Sequence, residues 1–185
     1  MRSIAPIMEN ARTANRSLSI RALADSDVPQ IIAACADWSE LAPYGPPFWR
    51  PRSAAELRRK VAATAGPQPA TDYTFVLESN KRIVGECSLH GIDWRNGFAQ
   101  VGVCIWRPAD RQRGYGRAAV EHAVNWGLNF LGLVRLEAWV VAGNDQSLVL
   151  FNKMGFVEEG LLRKRYLCGG RRLDIHVLAL TAARS

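Results

Sequence analysis

Val101-Gly-Val-Cys-Ile-Trp-Arg-Pro-Ala-Asp-Arg-Gln-Arg-Gly-Tyr-Gly-Arg-Ala-Ala-Val120 and its continuation Glu121-His-Ala-Val-Asn-Trp-Gly-Leu-Asn-Phe-Leu131 decide how this chain folds. The run Ala99 to Trp106 is apolar and rich in β-branched residues, as a strand requires. From Gly114 the period changes to that of a helix, with Val120, Val124, Leu128 and Leu131 on one face and Gly132 placed to end it. Between strand and helix lie the loop Arg107 to Arg111 and the turn Gln112-Arg113-Gly114-Tyr115-Gly116. A glycine turn lets backbone approach a ligand closely, and the helix start supplies unpaired N–H groups and the positive end of a dipole. Arg107, Arg111, Arg113 and Arg117 surround that turn. Guanidinium groups gathered on a turn suit a compact, multiply charged ligand, and a pyrophosphate fits best.

Working outward, Leu18 to Leu23 alternates as a short strand, and Asp25 and Asp27 can cap a helix running to about Ala36. Trp38 to Pro51, rich in Pro and aromatics, reads as a loop. Ser53 with Glu56 forms a capping box for a helix from Ala54 to about Thr64, which Gly66-Pro67-Gln68-Pro69 stops. Thr71 to Leu77, Ile83 to His90 and Ala99 to Trp106 predict three antiparallel strands. After the long helix, Val134 to Val141 reads as a buried strand and Asn144 to Met154 as a short helix. Phe156 to Tyr166 and Leu173 to Leu180 read as strands joined at Gly169-Gly170. The order β-α-α-β-β-β-α-β-α-β-β predicts an α/β (α+β) fold: a mixed, mostly antiparallel twisted sheet of about seven strands with helices on both faces.

The 185 residues, 48% hydrophobic and 9% aromatic, suit one domain with a sizeable core. Residues 17–182 are expected to form it, with 1–16 a flexible extension. No apolar run reaches the roughly 18 residues of a membrane span, and the interrupted stretch Ile4 to Met8 is too short for a signal peptide. The expectation is therefore a cytoplasmic protein without membrane partners. Cys35, Cys87, Cys104 and Cys168 are widely spaced with no Cys-x-x-Cys, so they read as free thiols, and no metal is implied. A net charge of +7 and a pI near 9.7 predict an anionic ligand. A nucleic-acid-binding module is the weaker reading, because no aromatic-plus-basic strand or recognition helix is evident.

A third glycine is missing for a dinucleotide fingerprint, and no Lys-Ser/Thr follows for a P-loop. Arg111-x-x-Gly114-x-Gly116 instead resembles the acetyl-CoA signature Gln/Arg-x-x-Gly-x-Gly/Ala of the GNAT superfamily of acyl-CoA N-acyltransferases. Asn144-x-x-Ser147-x-x-x-Phe151-x-Lys153-x-Gly155-Phe156 is similar to the next motif of the branch that acetylates ribosomal-protein N-termini and related amines. The resemblance spans about Leu18 to Thr181. It implies transfer of an acetyl group from acetyl-CoA to a primary amine by direct attack, the amine being a protein N-terminus or a small molecule, in a monomer or homodimer. It also implies a sheet splayed between its fourth and fifth strands, with pantetheine paired near Cys104, Ile105 and Trp106. The CoA contacts implied are Arg111, Gln112, Arg113, Gly114, Tyr115, Gly116, Arg117, Asn144 and Lys153.

Many members of that family carry a Tyr general acid where this chain has Phe151, a residue with no proton to give. Ser147, one turn earlier on the same helix face, is the candidate donor to the departing thiolate. Asn144 could equally be a plain helix cap. No Asp or Glu lies between Ala99 and Trp106, so Glu86, His90 and Asp93 are the candidate bases, with Glu86 and His90 on one strand face. The missing Tyr also keeps open a non-catalytic acyl-CoA sensor. Trp38, Tyr44, Phe48 and Trp49, among Pro43, Pro46 and Pro47, resemble an acceptor-side lid, while Arg163 to Arg165 and Arg171-Arg172 read as a solvated charged face.

Overall fold

A computed structural model describes residues 18–46, 48–66 and 69–182, so the expected extension over 1–16 and Pro47, Pro67 and Gln68 lie outside the described residues. Seven strands form one sheet: β1 (Leu18–Ala22), β2 (Tyr73–Ser79), β3 (Arg82–Asp93), β4 (Phe98–Ile105), β5 (Arg135–Val141), β6 (Val157–Cys168) and β7 (Arg171–Thr181). Their spatial order is β1-β2-β3-β4-β5-β7-β6, and every neighbouring pair is antiparallel except β4 with β5. A parallel pair needs a crossover connection, and α4 with the turn after it supplies one between β4 and β5.

The helices α1 (Val28–Ala34), α2 (Trp38–Leu41) and α3 (Ala54–Ala65) pack on one sheet face, where Ile31, Leu41 and Leu57 meet Val76, Ile83, Cys104 and Trp106. The opposite face receives α4 (Tyr115–Asn125) through Tyr115, Ala119, Val120 and Ala123, and α5 (Asp145–Lys153) through Phe151. Burying one Leu or Val side chain in such clusters contributes about 1.5–3 kcal/mol, so these two layers hold the sheet from both sides.

Two segments differ from the expected pattern. Part of the stretch read as a loop is helical: the Asp37 carboxylate accepts from the Glu40 N–H at 3.2 Å, starting α2, and a 3-10 turn follows at Ala42–Tyr44. The long helix also changes form, since α4 ends at Asn125 and a π turn spans Trp126–Phe130. The wide turn seats Trp126 against Tyr73 and Phe75, at ring distances of 5.8 and 5.5 Å, and brings Gly127 against the sheet. A Cβ at Gly127 would stand 2.9 Å from a Leu136 methyl, so a larger residue there would have to displace that side chain. Among the described residues no helix is long and apolar enough to cross a membrane.

Candidate active site

The turn before α4 has the backbone expected of an anion cradle. Gly114 is the N-cap at φ 82°, Gln112 is also left-handed at φ 59°, and no side chain caps the helix, so its first N–H groups face outward. Arg82 grips Asp110 with two bonds of 2.7 Å, fixing the loop from below. Arg107 keeps a buried Nη1 with no hydrogen-bond partner among the described residues, and exposed Arg113 has no ion pair among them. Arg117 is paired with Glu121 one turn along, and the Tyr115 hydroxyl points inward to donate to Ser79.

Arg111 does something the motif did not announce. Its guanidinium forms a fork with Glu40 at 2.8 and 3.1 Å, donates to the carbonyls of Ile105 and Trp106, and stacks over Tyr44 at 4.8 Å. The side chain ties the aromatic segment to the end of β4.

The sheet opens beside that turn. Pairing between β4 and β5 is confined to Phe98, Ala99 and Gln100 against Arg135, Leu136 and Glu137. Beyond Gln100 the strands diverge while β3 and β4 stay paired as far as Ile105. Trp106 donates to Val84 on β3, and alternation along an antiparallel ladder turns the backbone of Cys104 the same way. Val101, Val103 and Ile105 are therefore the residues whose backbone faces the gap; of the expected contacts Cys104, Ile105 and Trp106, the first and last instead turn their backbone to β3.

A cleft of about 660 Å³ occupies the opening, between the face of β3 carrying Glu86, Ser88 and His90 and the start of α5 carrying Asn144, Ser147 and Phe151. A second hollow runs alongside, between Arg111 and Gln112 on one wall and Ala142 to Gln146 on the other. The two hollows share Tyr44, Val141 and Asn144, and Gln112 of the glycine turn lines the second. The family model for the acetyltransferase (GNAT) domain matches residues 17–157.

The chain belongs to the GNAT acetyltransferases. It is similar to the uncharacterized N-acetyltransferase p20 of Bacillus licheniformis, 28% identical over 177 residues, which cover 94% of this chain and 96% of the relative. In fold it matches a spermidine N-acetyltransferase of Vibrio cholerae solved with CoA and spermine, with 23% identity, a TM-score of 0.77, and 90% and 96% of the two chains covered. It also matches a ribosomal alpha-N-protein acetyltransferase solved with coenzyme A, with 16% identity, a TM-score of 0.81, and 91% and 96% covered. As a GNAT N-acetyltransferase the protein moves an acetyl group from acetyl-CoA to an amine.

Within this GNAT cleft the titratable residues occupy distinct settings. Glu86 is buried, and its Oε1 accepts from Arg52 and from Lys60, each at 3.1 Å, while Arg52 also lies 3.2 Å from Glu56. Burial alone would favour the neutral acid, but Lys60 and Arg52 outweigh it and hold the carboxyl down to about 2. Both cations share Oε1 while the buried Oε2 has no hydrogen-bond partner among the described residues, and a carboxylate held so firmly ionised is a poor proton acceptor. Asp93, half-buried at the end of β3, accepts from the N–H and side-chain amide of Asn96 at 2.9 and 2.7 Å and does not line the cleft.

His90 is different. Its Nδ1 lies 3.3 Å from the Ser88 hydroxyl, Gln100 flanks the ring, and burial pushes the imidazole below its ordinary value, so it is neutral near pH 7. Gly102 makes room for this arrangement, since a Cβ there would stand 2.8 Å from the Ser88 hydroxyl and 3.3 Å from the His90 ring.

On α5, the Asn144 side chain accepts from the Ser147 N–H at 3.3 Å and so caps the helix, while the residue lines both hollows. Ser147 and Phe151, one turn apart, both face the cleft. Lys153 sits nine positions along the same helix, about 13 Å from Asn144 at 1.5 Å per residue, and is exposed in its last turn outside both hollows. Of the aromatic segment, Tyr44 and Phe48 line the cleft, whereas Trp38 and Trp49 are largely exposed and do not. In the sequence Glu56 reads only as a capping-box residue, and Arg52, just before the N-cap, and Lys60, on the helix, are not singled out.

Proposed function

We propose that the protein acetylates a primary amine in a ternary complex, with the CoA pyrophosphate on the turn Gln112 to Gly116 and pantetheine along the open edge of β4. His90 and Ser147 serve the proton transfers in this reading. The observation that carries it is the end of β4–β5 pairing at Gln100 and Glu137, which leaves backbone edge facing a gap flanked by His90 and Ser147.

The acceptor enters from the side of α3 and β6. Loss of one ammonium proton, taken by His90 directly or through a water, leaves a nitrogen lone pair that attacks the thioester carbonyl carbon. The tetrahedral intermediate collapses by breaking the carbon–sulfur bond, the second nitrogen proton leaves to solvent, and the CoA thiolate takes a proton from the Ser147 hydroxyl, which solvent restores. The neutral imidazole suits the first step, because a protonated ring could accept nothing.

Thiol release measured with acetyl-CoA and a panel of primary amines tests the scheme. At least one amine should give release dependent on both substrates, and His90→Gln and Ser147→Ala should each lower kcat with CoA affinity retained. Full activity in both variants would remove these two residues from the mechanism.

A further inference from the structure

We infer that the acceptor is a small molecule of amino-acid type, carrying a carboxylate as well as its amine, and that Arg165 is the residue that receives this carboxylate. The inference rests on the acceptor side of the cleft assigned above.

A backbone device aims Arg165. In the β6–β7 pair, Leu162 faces Ile175 and Tyr166 faces Leu173, so residues 163–165 stand opposite Asp174 alone. At the centre of this bulge Lys164 is left-handed, with φ 53°, and its N–H is held by the Asp174 carboxylate at 2.6 Å. In a regular strand neighbouring residues point to opposite faces, yet Arg165 and Tyr166 both line the cleft. The bulge re-aims one side chain, as bulges beside active sites do. Arg165 lies over the Trp139 ring at 5.9 Å, and Trp139 shares its sheet face with Gln100, Gly102 and His90. By contrast Arg163, Arg171 and Arg172 do not line the cleft and fit the solvated reading.

The cleft's charges are arranged for a zwitterion. Its wall carries Glu56, Asp72 and Glu86, and Arg59, Lys60 and Arg165. Glu56 and Glu86 are already neutralised by Arg52 and Lys60. Asp72 lies at the His90 end, receiving the Thr71 hydroxyl at 2.8 Å and the Gly91 N–H at 3.4 Å but no cation among the described residues. Across the gap Arg165 has no carboxylate within ion-pair distance among them, and neither does Arg59 on α3. An ammonium beside His90 and Asp72 with a carboxylate on Arg165 satisfies both ends. A guanidinium stacked on an aromatic ring also presents its fork of donors to a carboxylate. A polyamine would instead bring several cations to a wall whose buried carboxylates are already paired.

The test is steady-state thiol release with free α- and ω-amino acids, their carboxamides, short peptides with free N-termini, and spermidine. The best amino acid should exceed its own amide at least tenfold in kcat/KM. Arg165→Gln should raise the KM of the acid about ten- to a hundredfold with kcat and CoA binding little changed, leave the amide unaffected, and be partly recovered by Arg165→Lys. Arg163→Gln, outside the cleft, should match the wild type. Amides, peptides or spermidine used as well as the acids, or an acid preference that survives Arg165→Gln, would overturn the inference while leaving amine acetylation intact. Absence of turnover with any amine, in protein that acetyl-CoA still stabilises, would overturn both.

Discussion

Replacing Gly114 by Ala separates the backbone's role from the ligand's. In the free protein a Cβ at this position would meet nothing within 4 Å, so the methyl creates no clash. Its cost comes from φ 82°, a left-handed conformation that costs an L-residue about 1–2 kcal/mol. At about 2–4 °C per kcal/mol for a chain of this length, Tm without ligand should fall by about 2–8 °C. The larger effect is expected with CoA. At about a hundred times Kd, CoA should stabilise the wild type by about 2.7 kcal/mol, a shift of roughly 5–11 °C. The added methyl stands where a phosphate must reach the first N–H groups of α4. If affinity drops a hundredfold, the same CoA concentration equals Kd and the gain shrinks to about 0.4 kcal/mol, near 1 °C. Gly114→Asn is the companion variant, because Asn tolerates the left-handed region. It should recover part of the ligand-free Tm without recovering the CoA shift. Thermal unfolding of all three proteins with and without CoA reads both quantities, and a wild-type CoA shift in Gly114→Ala or Gly114→Asn would refute the assignment of pyrophosphate to this turn.

Ser147→Ala should lower kcat about ten- to a hundredfold with little change in acetyl-CoA binding, and adding Phe151→Tyr should recover part of the loss in the same assay. Glu86→Gln should cost about 3–5 kcal/mol in denaturant unfolding, because it leaves Arg52 and Lys60 without their shared anion in a buried network. His90 and His122 are both held below the ordinary imidazole value by burial, so between their folded values and about 6.5 the unfolded chain binds more protons. Stability should therefore rise with pH through that window and fall as acid is added. The acid limb of kcat/KM should lie below pH 6.5 and disappear in His90→Gln. Arg111→Met should lower both Tm and the CoA shift, since the Glu40 fork and the bonds to Ile105 and Trp106 hold the loop; an unchanged Tm would refute that stapling role.

The strand, turn and helix from Val101 to Leu131 were legible in the sequence because each signal there is local. Apolar periodicity, glycines that permit positive φ, and the helix start act within a few residues of one another, so the glycine turn and the face shared by Ser147 and Phe151 could be read directly. The element order also implied the mixed sheet. The gap could be named only by resemblance, since its cause is a β4–β5 ladder that ends at Gln100 and Glu137, residues far apart in the chain. Glu86 and His90 look equivalent on a strand face. Arg52, just before α3, and Lys60, on it, meet at one carboxylate while the other residue is left a neutral imidazole, and no local pattern encodes that difference. Arg165 likewise appears in sequence as one of three adjacent cations, and only the bulge opposite Asp174 separates it from its neighbours. Local conformation follows from neighbouring residues, whereas protonation, pairing and aim follow from partners that tertiary packing supplies.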